Sequence, residues 1–302
     1  MDTVQLGDVE VTKVVEWQGE FGRARDAIPD SPPEVWRDNA SWLDPEHWNA
    51  ETDGCRAAVQ TWVLRSEGKT ILVDTGIGND RDRPQMPLFD HLGTDFLDRL
   101  ARAGVQPDDV DIVVNTHVHY DHVGWNTHLV DGEWVPTFPN ATYLIPAADQ
   151  VYFDPRNEHR RPAPVNEYEQ LRRKGSHIVY ADSIAPVLDR AVLWEDDYRI
   201  DANLSLEPAP GHTPGSSVVR LESGRDRTVF VADVLHSPVQ ILAPHCNSRF
   251  CEHPGQAADT RRRVLERAAD NNELVIPAHF AGSGAVEIQR DGSRFAIRRW
   301  VP

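Results

Sequence analysis

Residues 1–16 alternate apolar and polar side chains, with Val4, Leu6, Val9, Val11 and Val14 near a period of two around Gly7-Asp8, which predicts an opening hairpin. The alternation then stops. From about Gly19 to Asp53 the chain is rich in Pro, Asp and Trp without a clear period, and residues 19–53 are expected to form an irregular arm or lid. Trp36, Trp42 and Trp48 argue that this arm packs against something rather than drifting as a linker.

Two strand-like runs follow, residues 57–66 and 69–76, joined across Glu67-Gly68 as a hairpin. Residues 88–104 carry apolar positions at helical spacing and end on Gly104, which predicts a helix, and DVDIVVNTH then reads as a buried strand. Beyond it the pattern predicts a strand at ATYLIPA and helical segments near 147–153 and 165–174. Further strands fall near 191–195, 203–208, 216–222 and 228–232. A helix over 257–271 feeds the strand ELVIPAH, and the chain closes on a hairpin about Asp291-Gly292. Helices alternate with strands throughout, so the class is α/β, with helices covering the outer faces of the sheets. One domain over 1–302, with the 19–53 arm attached, is the expected organisation.

Composition narrows the functions open to such a chain. With 302 residues, 40% of them hydrophobic and 26% charged, a sizeable core is available. The formal charge of −17 disfavours nucleic acid as a partner, because polyanion binding relies on Lys and Arg neutralising phosphates. No run approaches the roughly 18 apolar residues of a membrane helix, and the first residues lack the basic and apolar regions of a signal peptide. Three cysteines, Cys55, Cys246 and Cys251, suit free thiols in a reducing compartment, so the expectation is a cytoplasmic protein without a membrane partner.

The chemistry concentrates in THVHYDH, which places His117, His119, Asp121 and His122 directly after a predicted strand. Two readings stand: an exposed polar turn, or a loop curled around a metal, since neutral imidazoles and a carboxylate are the donor set zinc takes. His212 in PAPGHTPGSS, Asp233 in VFVADVLH and His279 in LVIPAHF each sit at a further strand end. A lone histidine there is ordinarily a loop residue. Four such strand ends in one chain reinforce the metal reading.

In this order, H-x-H-x-D-H, then G-H-T-P-G, then a strand-ending Asp and a late strand-ending His, the sequence resembles the metallo-β-lactamase superfamily from about residue 55 to 282. The resemblance implies an αβ/βα sandwich of two facing mixed sheets with metals at one edge. It implies two zinc ions, or other divalent transition metals, with His117, His119 and His212 on the first, Asp121, His122 and His279 on the second, and Asp233 bridging. Asp74 in ILVDTG matches the early Asp that supports the ligands from behind, with a turn-forming Asp as the alternative. A bridging hydroxide would attack a carbonyl or phosphoryl centre, and Asp121 would orient it or pass a proton to the leaving group.

Departures from subfamily patterns refine the expectation. True β-lactamases of this fold place Cys where Asp233 stands, and the iron flavoproteins replace the second His, which is intact here as His119. Acyl-homoserine lactonases carry a Tyr three residues after the bridging Asp; His236 occupies that position, as in methyl-parathion-hydrolase-like members. His236 would donate to a developing oxyanion, or else be a buried histidine bonded to backbone. Tyr120 and Trp125 are expected to line the cleft or pack in the core, and Phe21 with the arm tryptophans to cap the pocket or a subunit interface. HCNSRFCEH, residues 245–253, could nominally hold zinc through Cys246 and Cys251, against thiols that are incidental to a pocket loop. The expectation is a dinuclear zinc hydrolase of a small ester or lactone, and an arm of this kind suits a homodimer. The alternatives are a phosphotriesterase or phosphodiesterase on the same metals and a non-catalytic metal-binding scaffold.

Overall fold

The computed structural model describes residues 3–301. The described residues form two compact units, one from residues 3–5, 9–16 and 60–196, the other from 6–8, 17–59 and 197–301.

In chain order the first strands are β1 (Thr3–Leu6), β2 (Val9–Arg23), β3 (Trp48–Asn49), β4 (Gly54–Ser66), β5 (Lys69–Val73) and β6 (Ile112–Val114). They are followed by β7 (Thr127–Val130), β8 (Glu133–Pro136), β9 (Thr142–Pro146) and β10 (Ala191–Trp194). One sheet runs β1-β2-β4-β5-β6-β9-β10, with β3 also paired to β4, and β7-β8 is a separate hairpin. The β4–β5 turn uses Glu67 and Gly68, both with positive φ, as the predicted two-residue hairpin requires. From β5 onward the pairing is parallel, with Val73 beside Val114. Their C-terminal ends therefore release Asp74 and the Asn115–His117 segment side by side.

The helices so far in chain order are α1 (Ala24–Ala27), α2 (Pro33–Arg37) and α3 (Ala40–Leu43), which belong to the second unit, and α4 (Phe96–Arg102), α5 (Ala147–Phe153) and α6 (Glu167–Val179), which belong to the first. Residues 88–104 do not form the single helix that their spacing predicts. Only Phe96–Arg102 is α-helical, because His91 takes a positive φ and the chain turns through Asp90–Thr94 before Phe96 and Leu100 can bury. Residues 19–53 hold the end of β2, three short helices and β3. Trp36 and Trp48 are buried there with Leu43, Val239 and Cys246, and Trp36 donates to Ser31 at 2.8 Å, so they are core residues of their own unit.

The second sheet is formed by β11 (Tyr198–Arg199), β12 (Leu204–Pro208), β13 (Ser217–Ser223), β14 (Asp226–Ala232), β15 (Leu274–Pro277), β16 (Ala285–Asp291) and β17 (Arg294–Val301), in that order. Only β14–β15 is parallel, with Ala232 beside Pro277, so Asp233 and His279 leave neighbouring strand ends. A register shift between Phe230 and Ala232, and the positive φ of Ala232, bend the strand just before Asp233. Two helices complete the unit, α7 (Val239–Leu242) and α8 (Pro254–Asn271). In α8, Ala257, Thr260, Arg261, Val264, Leu265 and Ala268 recur at helical spacing and are its buried face; Pro254 opens it and Asn272, with left-handed φ, ends it.

Among the described residues no helix is long and apolar enough to cross a membrane.

Candidate metal centre

In the first unit the parallel strand ends place Asp74 behind the THVHYDH loop. Asp74 Oδ1 accepts from the Thr116 amide at 2.8 Å, and Oδ2 lies 2.8 Å from both Thr116 Oγ1 and His122 Nδ1. Thr116 Oγ1 is also 3.1 Å from His117 Nδ1. A hydroxyl has one proton; giving it to the carboxylate leaves oxygen lone pairs to accept Nδ1–H of His117. Asp74 thus fixes the tautomer of His122 directly and that of His117 through Thr116. In both rings Nε2 is left with its lone pair, the state a metal ligand needs. Asp74 itself has a positive φ, so the turn-forming role and the supporting role coexist in one residue.

The rings of His117 and His119 stand edge to face at 4.8 Å, His117 and His122 lie 4.0 Å apart, and Asp121 Oδ1 is 3.9 Å from His122 Nε2. His117 and His122 are almost fully buried. The loop, and the turn after β5 beside it, are held by groups that sequence reasoning missed. Asp149, fully buried at the start of α5, accepts from the Val118 amide at 2.9 Å, between the first two histidines. Glu16 accepts from the Ile77 amide at 2.6 Å, the Gly78 amide at 3.2 Å, Trp125 Nε1 at 2.7 Å and Thr94 Oγ1 at 3.3 Å. Burial pushes the Glu16 carboxyl above its usual range, against the pull of those donors. Trp125 is stacked on Phe96 and belongs to the core, and Tyr120 packs against that core beside Phe89.

In the second unit Asp233 lies among three imidazoles. Its Oδ2 is 3.1 Å from His212 Nε2 and 3.1 Å from His236 Nε2, while Oδ1 is 3.0 Å from His279 Nε2. His279 Nδ1 faces the Ala58 carbonyl at 2.9 Å and donates to it, so in the neutral ring Nε2 carries a lone pair. That lone pair and a carboxylate oxygen at 3.0 Å repel one another unless positive charge is shared between them. Two donors on one tetrahedral zinc, each at about 2.0–2.1 Å, stand roughly 3.3 Å apart, close to the His212–Asp233 separation. The donor set therefore fits zinc.

The ring of His236 is not bonded to backbone. Its amide donates to Gln240 Oε1 at 2.7 Å, its buried Nδ1 has no hydrogen-bonding partner among the described residues, and Nε2 meets Asp233 at the distance but not the angle of a hydrogen bond. Burial lowers its pKa, opposed by Asp233. The 234–247 loop around it is tied down by Arg261, which is fully buried in α8 and donates to the carbonyls of Val234, Pro244 and Cys246 at 2.7–2.9 Å. Phe250, which sequence reasoning overlooked inside HCNSRFCEH, lies 6.4 Å from the His236 ring and 5.9 Å from Phe21. The two thiols of that segment serve different neighbours. Cys246 Sγ is 3.5 Å from the Asp30 carbonyl and 3.6 Å from His245, whereas Cys251 Sγ is 3.7 Å from His212 Nδ1. Among the described residues no group of donors placed to share an ion includes either cysteine.

The family profile described as "Metallo-beta-lactamase superfamily" matches residues 56–279, well over half of the chain. An N-acyl homoserine lactonase from Bacillus sp is 24% identical over 188 residues, an alignment covering 57% of this chain and 62% of that protein. The human protein named acyl-coenzyme A thioesterase MBLAC2 is 24% identical over 276 residues, covering 87% of this chain and 86% of that one. Among solved structures, the hydrolase AbOPH superposes with a TM-score of 0.78 at 22% identity, covering 98% of this chain and 95% of that one. AidC, described as a dizinc quorum-quenching lactonase in complex with a product, gives 0.76 at 19% identity, covering 98% and 96%. The fold is the α/β sandwich of those proteins. With strand ends that carry H-x-H-x-D-H, G-H-T-P-G, Asp233 and His279 in the expected order, the chain belongs to the metallo-β-lactamase superfamily.

Proposed function

We propose that the protein is a dinuclear zinc-dependent hydrolase of small esters, lactones or related acyl compounds. In this reading His117, His119 and His212 hold one ion, Asp121, His122 and His279 the other, and Asp233 is shared. The observation that carries it is Asp233, whose two oxygens face different imidazoles, Oδ2 toward His212 and Oδ1 toward His279, as a carboxylate shared by two cations must. The fixed tautomers of His117, His122 and His279, each with Nε2 left as a lone pair, support it further. Zinc, when bound, supplies Lewis acidity toward a carbonyl oxygen and makes water a competent nucleophile near neutral pH.

The chain's own residues do the rest. Asp121, more accessible than His122, accepts a proton and passes it to the leaving oxygen. His236 donates N–H to the oxygen on which charge develops, in the place where related lactonases use Tyr. Phe250 and Phe21 present an apolar surface beside that imidazole, suited to an acyl chain or aryl group. The relatives' names, a lactonase of N-acyl compounds and an acyl-coenzyme A thioesterase, have the acyl group in common, which favours carbonyl over phosphoryl substrates. The substrate is a small molecule; three buried free thiols suit a cytoplasmic location.

A panel of acyl lactones, aryl esters, acyl thioesters, organophosphates and a chromogenic β-lactam tests this reading. Turnover is expected on acyl substrates, lost on chelation and restored by zinc, with His236→Phe lowering kcat at least 10-fold while zinc content stays unchanged. Turnover confined to phosphoesters would replace it with the phosphotriesterase alternative, and a zinc-loaded protein silent on the whole panel would leave a binding scaffold.

A further inference from the structure

The histidines proposed as ligands differ in what stands behind the ring. His122 Nδ1 is backed by a carboxylate, Asp74, at 2.8 Å, and His279 Nδ1 by a backbone carbonyl, Ala58, at 2.9 Å. His212 Nδ1 has the Cys251 sulfur at 3.7 Å. The backbone around His212 is tightly held. The Glu252 amide donates to the His212 carbonyl at 2.8 Å, the His253 amide to Gly211 at 2.9 Å, and Thr260 Oγ1 to the Pro210 carbonyl at 2.7 Å. Gly211 approaches α8 so closely that a Cβ there would lie 2.3 Å from the Ala257 amide. The same segment fixes the sulfur, because the Cys251 amide turns back onto the Ser248 carbonyl at 3.2 Å and the side chain is buried.

With the Nε2 lone pair given to the ion proposed above, the proton of a neutral His212 ring sits on Nδ1 and points at sulfur. A thiol is a weak acceptor, whereas a hydrogen bond to a carboxylate is charge-assisted and roughly twice as strong as a neutral one. The acceptor behind a ligating imidazole sets its orientation and basicity, and its loss typically changes metal affinity about 10–100-fold. We infer that Cys251 is a positioning residue for His212, and that its weak acceptor makes the ion held by His117, His119 and His212 the more easily removed of the two. The inference rests on the two-ion reading above.

The test is a graded chelator titration of the zinc-loaded protein, with zinc remaining on the chain measured by elemental analysis, for wild type, Cys251→Ala and Cys251→Ser. The wild type should release its ions in two separate steps. Cys251→Ala, which removes the acceptor, should move the first step to about 10-fold lower chelator and leave the second within about 2-fold. Cys251→Ser, whose hydroxyl accepts from Nδ1, should keep the first step within about 3-fold of wild type. Thermal unfolding of the zinc-free proteins checks that the two variants fold alike. Two ions in the wild type with a first step that Cys251→Ala does not move, or both steps moved equally, overturns the inference alone. Fewer than two ions in the wild type overturns the two-ion reading and the inference together.

Discussion

Single residues here are legible in proportion to how close their partners lie along the chain. His117, His119, Asp121 and His122 share seven positions, so their common purpose could be read directly. Glu16 binds the Ile77 amide 61 residues away and Cys251 meets His212 across 39 residues, and neither relation leaves a local pattern. His47 is another such residue. Its ring is stacked on Trp300 at 4.9 Å and edge-on to Phe280 at 5.7 Å, its Nδ1 has no hydrogen-bonding partner among the described residues, and burial lowers its pKa to about 4. The folded-state value lies below the unfolded one of 6.5, so the unfolded chain takes up the proton first as pH falls. The stability present above pH 6.5 is therefore lost progressively toward pH 4, by up to about 3 kcal/mol from this group. Denaturant unfolding at pH 7 and pH 4.5 checks this: His47→Phe, which keeps the stacked ring, should reduce the acid-induced loss. An identical loss in variant and wild type would assign the acid sensitivity to other groups.

At the scale of elements, the strands were the readable part, because their apolar runs are bounded by Gly, Pro and Asp and their hairpin turns by Glu67-Gly68 and Asp291-Gly292. The helix expected over 88–104 was not, since apolar residues at helical spacing also occur in a turn whose side chains bury one by one. The β7–β8 hairpin was missed even though Asp131-Gly132 marks its turn, and α8 is three residues longer at its start than its periodicity suggests. The turn after β5 is where an element's geometry meets the site. Gly76 has a φ of +59°, and a Cβ there would lie 2.0 Å from Glu16 Oε2. Gly76→Ala should cost roughly 3 kcal/mol, combining left-handed strain with displacement of the Glu16 carboxylate. Equilibrium unfolding measures it, and a cost below about 1 kcal/mol would show that this carboxylate is free to move.

For the whole molecule, the ordered motifs identified the superfamily and the α/β class before any contact was known, because the motif residues sit at strand ends whose order is fixed by topology. What supports and shapes the ligand loops was hidden, since burial, tautomer and backing acceptor arise only when distant segments pack. The net charge of −17 is consistent with a small-molecule substrate rather than a polyanion. The central claim concerns two zinc ions sharing Asp233, and elemental analysis of protein purified without chelator tests it most directly. Close to two ions per chain are expected in the wild type, His119→Ala should lower that number, and Asp233→Ala should lose most of both ions together with turnover. One ion per chain or none, or an Asp233→Ala variant that retains two, would contradict it.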